Sequence, residues 1–198
     1  RNYNKNVTWI PDNVEMDSIP TRVLDKSRSR LRVVWSGEAI KLFELLLIDE
    51  TLKQLRNYID LVVITSDLSA MARWRHDYRG RIDSLLSSID ARIIRYTNMA
   101  DLFNVYANSD VVLSPRFLDN TYNLGHTEWK ITLGMACGCK ALASPVPSYK
   151  TVFERSKHES VRLCNDQDEW EQAFESLLSD GISCELRDAA ARTVEDYY

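Results

Sequence analysis

The stretch NLGHTEWKITLGMACGCKALASPVPSY, residues 123–149, decides the fold. Small and apolar residues from Ile131 onward suit a helix, and the run then passes through Cys-Gly-Cys into ALAS, a strand-like segment at residues 141–144. A helix that feeds straight into a strand belongs to a layered α/β architecture. The same stretch raises a question of charge. Lys130 stands in the first turn of the helix, where the aligned peptide dipoles already carry partial positive charge.

Working outward, LRVVW at 31–35, LVVIT at 61–65, ARIIRY at 91–96 and DVVL at 110–113 join ALAS as short runs rich in branched residues, which read as buried parallel strands. Between the first two, Ile40, Phe43, Leu46, Leu47 and Leu55 recur near helical spacing, and residues 101–106 and 169–178 repeat the pattern. This alternation predicts a doubly wound, Rossmann-like parallel sheet with helices on both faces, because parallel neighbours need a crossover between them. Ligands of such sheets bind beyond the carboxyl ends of the strands. The residues at issue are therefore Ser36 and Gly37, Ser66 and Asp67, Thr97 and Asn98, Pro115 and Arg116, and the loop before Lys130.

With 198 residues, 44% of them hydrophobic, the chain can bury the core of one sizeable domain. A formal charge of −4, with no interleaved basic and aromatic residues, argues against nucleic acid as a partner. Apolar runs such as LLLI at 45–48 are far too short to cross a bilayer. Cys137, Cys139, Cys164 and Cys184 match neither a zinc knuckle nor a redox CxxC motif, so they read as reduced, mostly buried thiols of a cytoplasmic protein. Residues 1–30 hold a strand-like piece broken by Pro-Asp-Asn and then a polar, linker-like segment. Near the other end, Asp166 to Glu169 suit the cap of a helix that Gly181 stops, with a last amphipathic helix running to Tyr198.

A helix beginning near His126 or Thr127 exposes unpaired backbone amides, and Lys130 in its first turn is repelled unless an anion sits in front. Gly125 would allow close backbone approach, while His126, Thr127 and Lys130 would add donors, the recipe for a phosphate site. The plain alternative is a solvated lysine on a surface turn. Ser36, Gly37 and Lys41 form a second, weaker candidate, since neither GxGxxG nor GxxxxGK[ST] is present. Asp67, Asp119 and Glu128 are scattered, so no acidic cluster suggests a metal.

MACGCKALASPVPSY, the preceding HTEWK, ANSDVVLSP and the early WIPDNVEMD together resemble the carboxyl-terminal, donor-binding domain of GT-B glycosyltransferases, especially a retaining group related to bacterial polysaccharide synthesis. The resemblance covers nearly the whole chain. It implies residues 1–30 as interdomain segment and linker, residues 31–198 as the donor-binding domain, and an amino-terminal acceptor domain outside this chain. It implies a nucleotide-diphosphate sugar as donor, no cofactor, a glycan or other acceptor, and little or no transfer by this domain alone. Lys130 and Lys41 would meet the charge developing on the leaving diphosphate. Ser36 and Gly37 would form the turn after the first strand, Thr97 and Asn98 the loop near the base. Arg116, Asn123, Gly125, His126, Thr127 and Glu128 would line the sugar and phosphate side. Many relatives carry two glutamates separated by seven residues, but those positions here are Gly125 and Leu133, leaving Glu128 as a shifted candidate for the ribose.

Three alternatives share the architecture: a nucleotide-sugar epimerase, a phosphorylase, and a non-catalytic binding module. Arg73, Arg75, His76, Arg79 and Arg81 read as an exposed helix and loop, or else as a patch touching anionic lipid at the inner face of a membrane.

Overall fold

In a computed structural model, residues 10, 12–20, 28–73 and 76–198 are described. Six strands form one sheet: β1 (Leu31–Gly37), β2 (Ile59–Thr65), β3 (Arg92–Arg95), β4 (Val111–Ser114), β5 (Lys140–Ala143) and β6 (Val161–Leu163). Their order is β3-β2-β1-β4-β5-β6 and every neighbouring pair is parallel, the doubly wound arrangement the alternation predicts.

Side-chain alternation sorts the core into two layers. Val33, Trp35, Leu61, Val63, Val111 and Leu113 point to one face. There they meet the 3-10 helix Ala39–Ile48 together with α1 (Asp49–Gln54), α2 (His76–Ser88) and α7 (Gln167–Asp180). Val34, Ile64, Val112, Ala141 and Ala143 point to the other, under α3 (Met99–Ala107), α5 (Trp129–Ala136), α6 (Pro147–Arg155) and α8 (Cys184–Tyr197). A short α4 (Thr121–Leu124) precedes α5. Helix α5 lies very close to the sheet: a Cβ on Gly134 would come within 2.7 Å of Val112 Cβ.

Two expectations are corrected by the structure. The segment after β1 buries Ala39, Leu42, Leu45 and Ile48, a strict spacing of three, rather than the stripe through Ile40, Phe43, Leu46 and Leu47. A repeat of three suits a 3-10 helix, in which residues i and i+3 eclipse. Strand β3 was expected to be buried, yet among the described residues it is an edge that pairs only with β2, and Arg92, Ile93 and Arg95 are exposed. Charged residues on an edge strand discourage pairing with further chains.

Asp166 caps α7 by accepting from the Glu169 amide, and Gly181 ends that helix at φ 71°, as the sequence suggests. Strand β6, only three residues long, gave too little pattern to be read. Of the strand-like piece 6–17, residues 6–9 and 11 lie outside the described residues, and a 3-10 turn, Met16–Ser18, stands at its end; of the basic run 73–81, residues 74 and 75 lie outside them, while Arg79 and Arg81 are exposed on α2. Among the described residues no helix is long and apolar enough to cross a membrane.

Candidate functional site

The sheet order reverses between β1 and β4, and a cleft of about 370 Å³ opens beyond their carboxyl ends. Ser36, Gly37, Lys41, Arg116, His126, Thr127 and Lys130 line it, with Glu38, Ile64, Ser66, Tyr96, Leu102 and Trp129 completing the wall. Seven of the twelve residues given a site role from sequence thus meet in one cavity, and Ser66, at issue after its strand, joins them. A larger cavity of about 430 Å³, beside Ile40, Phe43, Tyr78 and Phe117, has no lysine, arginine or histidine among its described lining residues. An anion therefore has reason to prefer the smaller one.

Lys130 is the second residue of α5, which starts at Trp129 rather than near His126. The Glu128 carbonyl accepts from Ile131 and Thr132 and so opens the helix, while the Glu128 side chain caps none of the first amides. From this position the lysine reaches across the end of β1. Its Nζ lies 4.6 Å from the Trp35 ring centroid, shielded from solvent and without a hydrogen-bond partner among the described residues. Gly37 makes the crossing possible: a Cβ there would sit 3.0 Å from the Trp35 ring and 3.5 Å from Lys130 Nζ, at a φ of +155° that side chains rarely adopt. Burial lowers the Lys130 ammonium to about 7; Arg116 and Lys41 push the same way, and Glu44 opposes them. Lys130 is thus not the solvated turn residue of the plain alternative.

Arg116 is buried, and its guanidinium is 2.7 Å from Glu44, itself 1% exposed. The Arg116 backbone amide donates to Ser144 Oγ, and the nearby Tyr149 hydroxyl shares a 2.7 Å hydrogen bond with Ser114. Glu44 so neutralises the cation that lies deepest. Lys41 Nζ is 3.2 Å from His126 Nε2 and 5.0 Å from the Tyr122 ring centroid, with Tyr122 edge-on to His126. Burial first, then Arg116, Lys41 and Lys130, lower His126 to about 4, so its ring is neutral near pH 7 and accepts from the Lys41 ammonium. Among the described residues Lys41 and Lys130 are therefore the basic groups of the cleft with no carboxylate bound to them, and the exposed Glu38 is the one acid on its wall.

Five sequence candidates stand outside the lining. Thr97 hydrogen-bonds Asp101, and Asn98 caps α3 by accepting from the Asp101 amide. Asn123 is buried and donates to the Phe117 carbonyl, holding the loop after β4 in shape. Gly125 ends α4. Glu128 is buried toward Asp12 and Arg155; burial pushes its carboxyl up, Asp12 adds to that, and Arg155 opposes it. Of these five, Asn98, Asn123 and Gly125 shape the backbone around the site, and Glu128 is not positioned on the cleft wall.

Trp35 and Glu44 were missed from sequence. The signal for Glu44 was a lone acid inside the apolar run LFELLLI, since a carboxylate in such surroundings needs a buried partner. Lys41 and Glu44, three apart, share one side of the 3-10 helix. Nothing in the sequence announced that Trp35 would lie under Lys130. Among the described residues no three His, Cys, Asp or Glu side chains gather as a metal site would require.

No protein-family model matches the chain, and no curated protein sequence matches it. Solved structures do. The chain is similar to a glycosyltransferase from Rickettsia africae ESF-5, with 15% identity and a TM-score of 0.69 over 94% of this chain and 51% of that one. It is similar to sucrose-phosphate synthase from Thermosynechococcus elongatus, with 19% identity and a TM-score of 0.66 over 96% and 48%. It is also similar to HepE of Anabaena in complex with UDP and glucose, with 10% identity and a TM-score of 0.70 over 94% and 51%. At these identities the likeness establishes the fold, a Rossmann-like α/β fold shared with glycosyltransferases. The chain spans about half the length of these solved proteins.

Proposed function

We propose that this chain is the donor-binding half of a GT-B glycosyltransferase, holding the diphosphate of a nucleotide sugar at the head of α5 for transfer to an acceptor bound by other residues of the protein. The observation that carries this reading is the unpartnered Lys130 ammonium, with Lys41 beside it, in the cavity where the strand order reverses. The glycosyltransferase-like fold supports it. On the sequence resemblance we assign the retaining group and a role in polysaccharide or glycoconjugate synthesis.

Breaking the bond between sugar and diphosphate leaves negative charge on a phosphate oxygen. Cations and helix amides that hold this oxygen more tightly as its charge grows lower the barrier. Lys130 and Lys41 fill that role in this reading, so it requires no metal. Arg116, already balanced by Glu44, keeps the floor of the cleft near neutral, and His126 fixes the Lys41 ammonium.

Calorimetric titration with UDP-, ADP- and GDP-glucose tests the proposal. One of the three should bind, and a double variant Lys41→Ala, Lys130→Ala should lose most of that affinity. No binding at millimolar concentration, or binding indifferent to both substitutions, overturns the reading.

A further inference from the structure

A buried lysine nitrogen with no hydrogen-bond partner among the described residues is an unfinished site. The charged and titratable groups facing Lys130 are few: Lys41 and Glu44 from the 3-10 helix, Arg116 from the loop after β4, and His126 from the turn before α5. From β1 it meets the Trp35 ring, which attracts a cation but accepts no conventional hydrogen bond. One Glu44 oxygen is spent on Arg116, and the other makes no hydrogen bond among the described residues. Tyr96 and the exposed Glu38 share the cavity wall, and Tyr149 is in contact with Arg116.

We propose that the cleft takes up its anion together with a proton, the two meeting at the Lys130 amine. This rests on the assigned diphosphate site and goes beyond it. A tetrahedral oxyanion of the ligand supplies both the first hydrogen-bond acceptor and the missing counter-charge, and solvent supplies the proton that turns the amine into an ammonium. Because the ligand-free amine titrates near 7, little proton is taken up well below that pH and nearly one well above it. Affinity therefore falls as pH rises above about 7, by up to about tenfold per unit. His126, titrating near 4, lies below this window.

The test uses the whole chain with lysines labelled at Cε and two kinds of probe that do not titrate near neutral pH: sulfate, and UDP-, ADP- and GDP-glucose. The ε resonance absent from Lys130→Arg should have a midpoint near 7 without ligand and move up by about one unit or more with bound anion. A response to sulfate with no nucleotide sugar binding upholds the proton coupling and overturns the donor-site reading. Nucleotide-sugar binding with an unmoved Lys130 midpoint, or a ligand-free midpoint near 10.5, does the reverse. If neither probe binds, both are overturned.

Discussion

Replacing Lys130 with methionine should stabilise the fold, in a way that depends on pH. Methionine keeps the unbranched stem across the end of β1 and removes the buried charge. The unfolded chain holds the lysine proton to about 10.5, whereas the folded chain releases it near 7. Below the lower limit the burial of the ammonium costs about 5 kcal/mol at 1.36 kcal/mol per unit. A folded-state midpoint reflects every interaction of the ammonium, the Trp35 ring included, so the gain is at most on the order of 5 kcal/mol. For a chain of this size that is roughly 10–20 °C in Tm. Between the two pKa limits the unfolded state binds more protons, so wild-type stability climbs with pH while the variant lacks this slope. The advantage of Lys130→Met should thus be complete at and below pH 7 and disappear toward pH 10.5. Urea unfolding of both proteins across that range measures it. A variant less stable than wild type at neutral pH, or a difference that does not change with pH, would refute the burial argument.

Glu44→Ala should cost about 3–5 kcal/mol in the same unfolding assay, because it strands a buried guanidinium, and Glu44→Met with Arg116→Met should recover most of that. Lys41→Ala should leave Tm nearly unchanged, since the residue is only partly buried, yet weaken nucleotide-sugar binding about tenfold or more in calorimetry, the worth of one charged hydrogen bond. Gly134→Ala should lower stability by about 1–3 kcal/mol through contact with the Val112 Cβ, readable as a fall in Tm.

The alternation of branched runs with helical ones disclosed five of the six strands, and the position of Lys130 against the helix dipole disclosed the cavity. Those features repeat along the chain or break a local rule, so they show in one dimension. The 3-10 helix was misjudged because a 3.6-residue period was assumed where Ala39, Leu42, Leu45 and Ile48 follow a period of three. Trp35 looked like an ordinary inward strand residue; its role depends on a lysine that arrives from 95 positions away and from the opposite face of the sheet. Glu128 was a shifted candidate for the missing ribose glutamate, but two positions at a helix start diverge by about 200°, which turns its side chain away from that of Lys130 and from the cleft.

The central claim is that an anionic nucleotide sugar sits at the head of α5. Backbone amide chemical-shift mapping of the chain during titration with UDP-, ADP- and GDP-glucose addresses it directly. The largest shifts should fall on Gly37, Lys41, Thr127 and Lys130, and should be much reduced in Lys130→Ala. Saturable shifts confined to the larger cavity near Phe43 and Phe117, or no shifts at millimolar ligand, would contradict it.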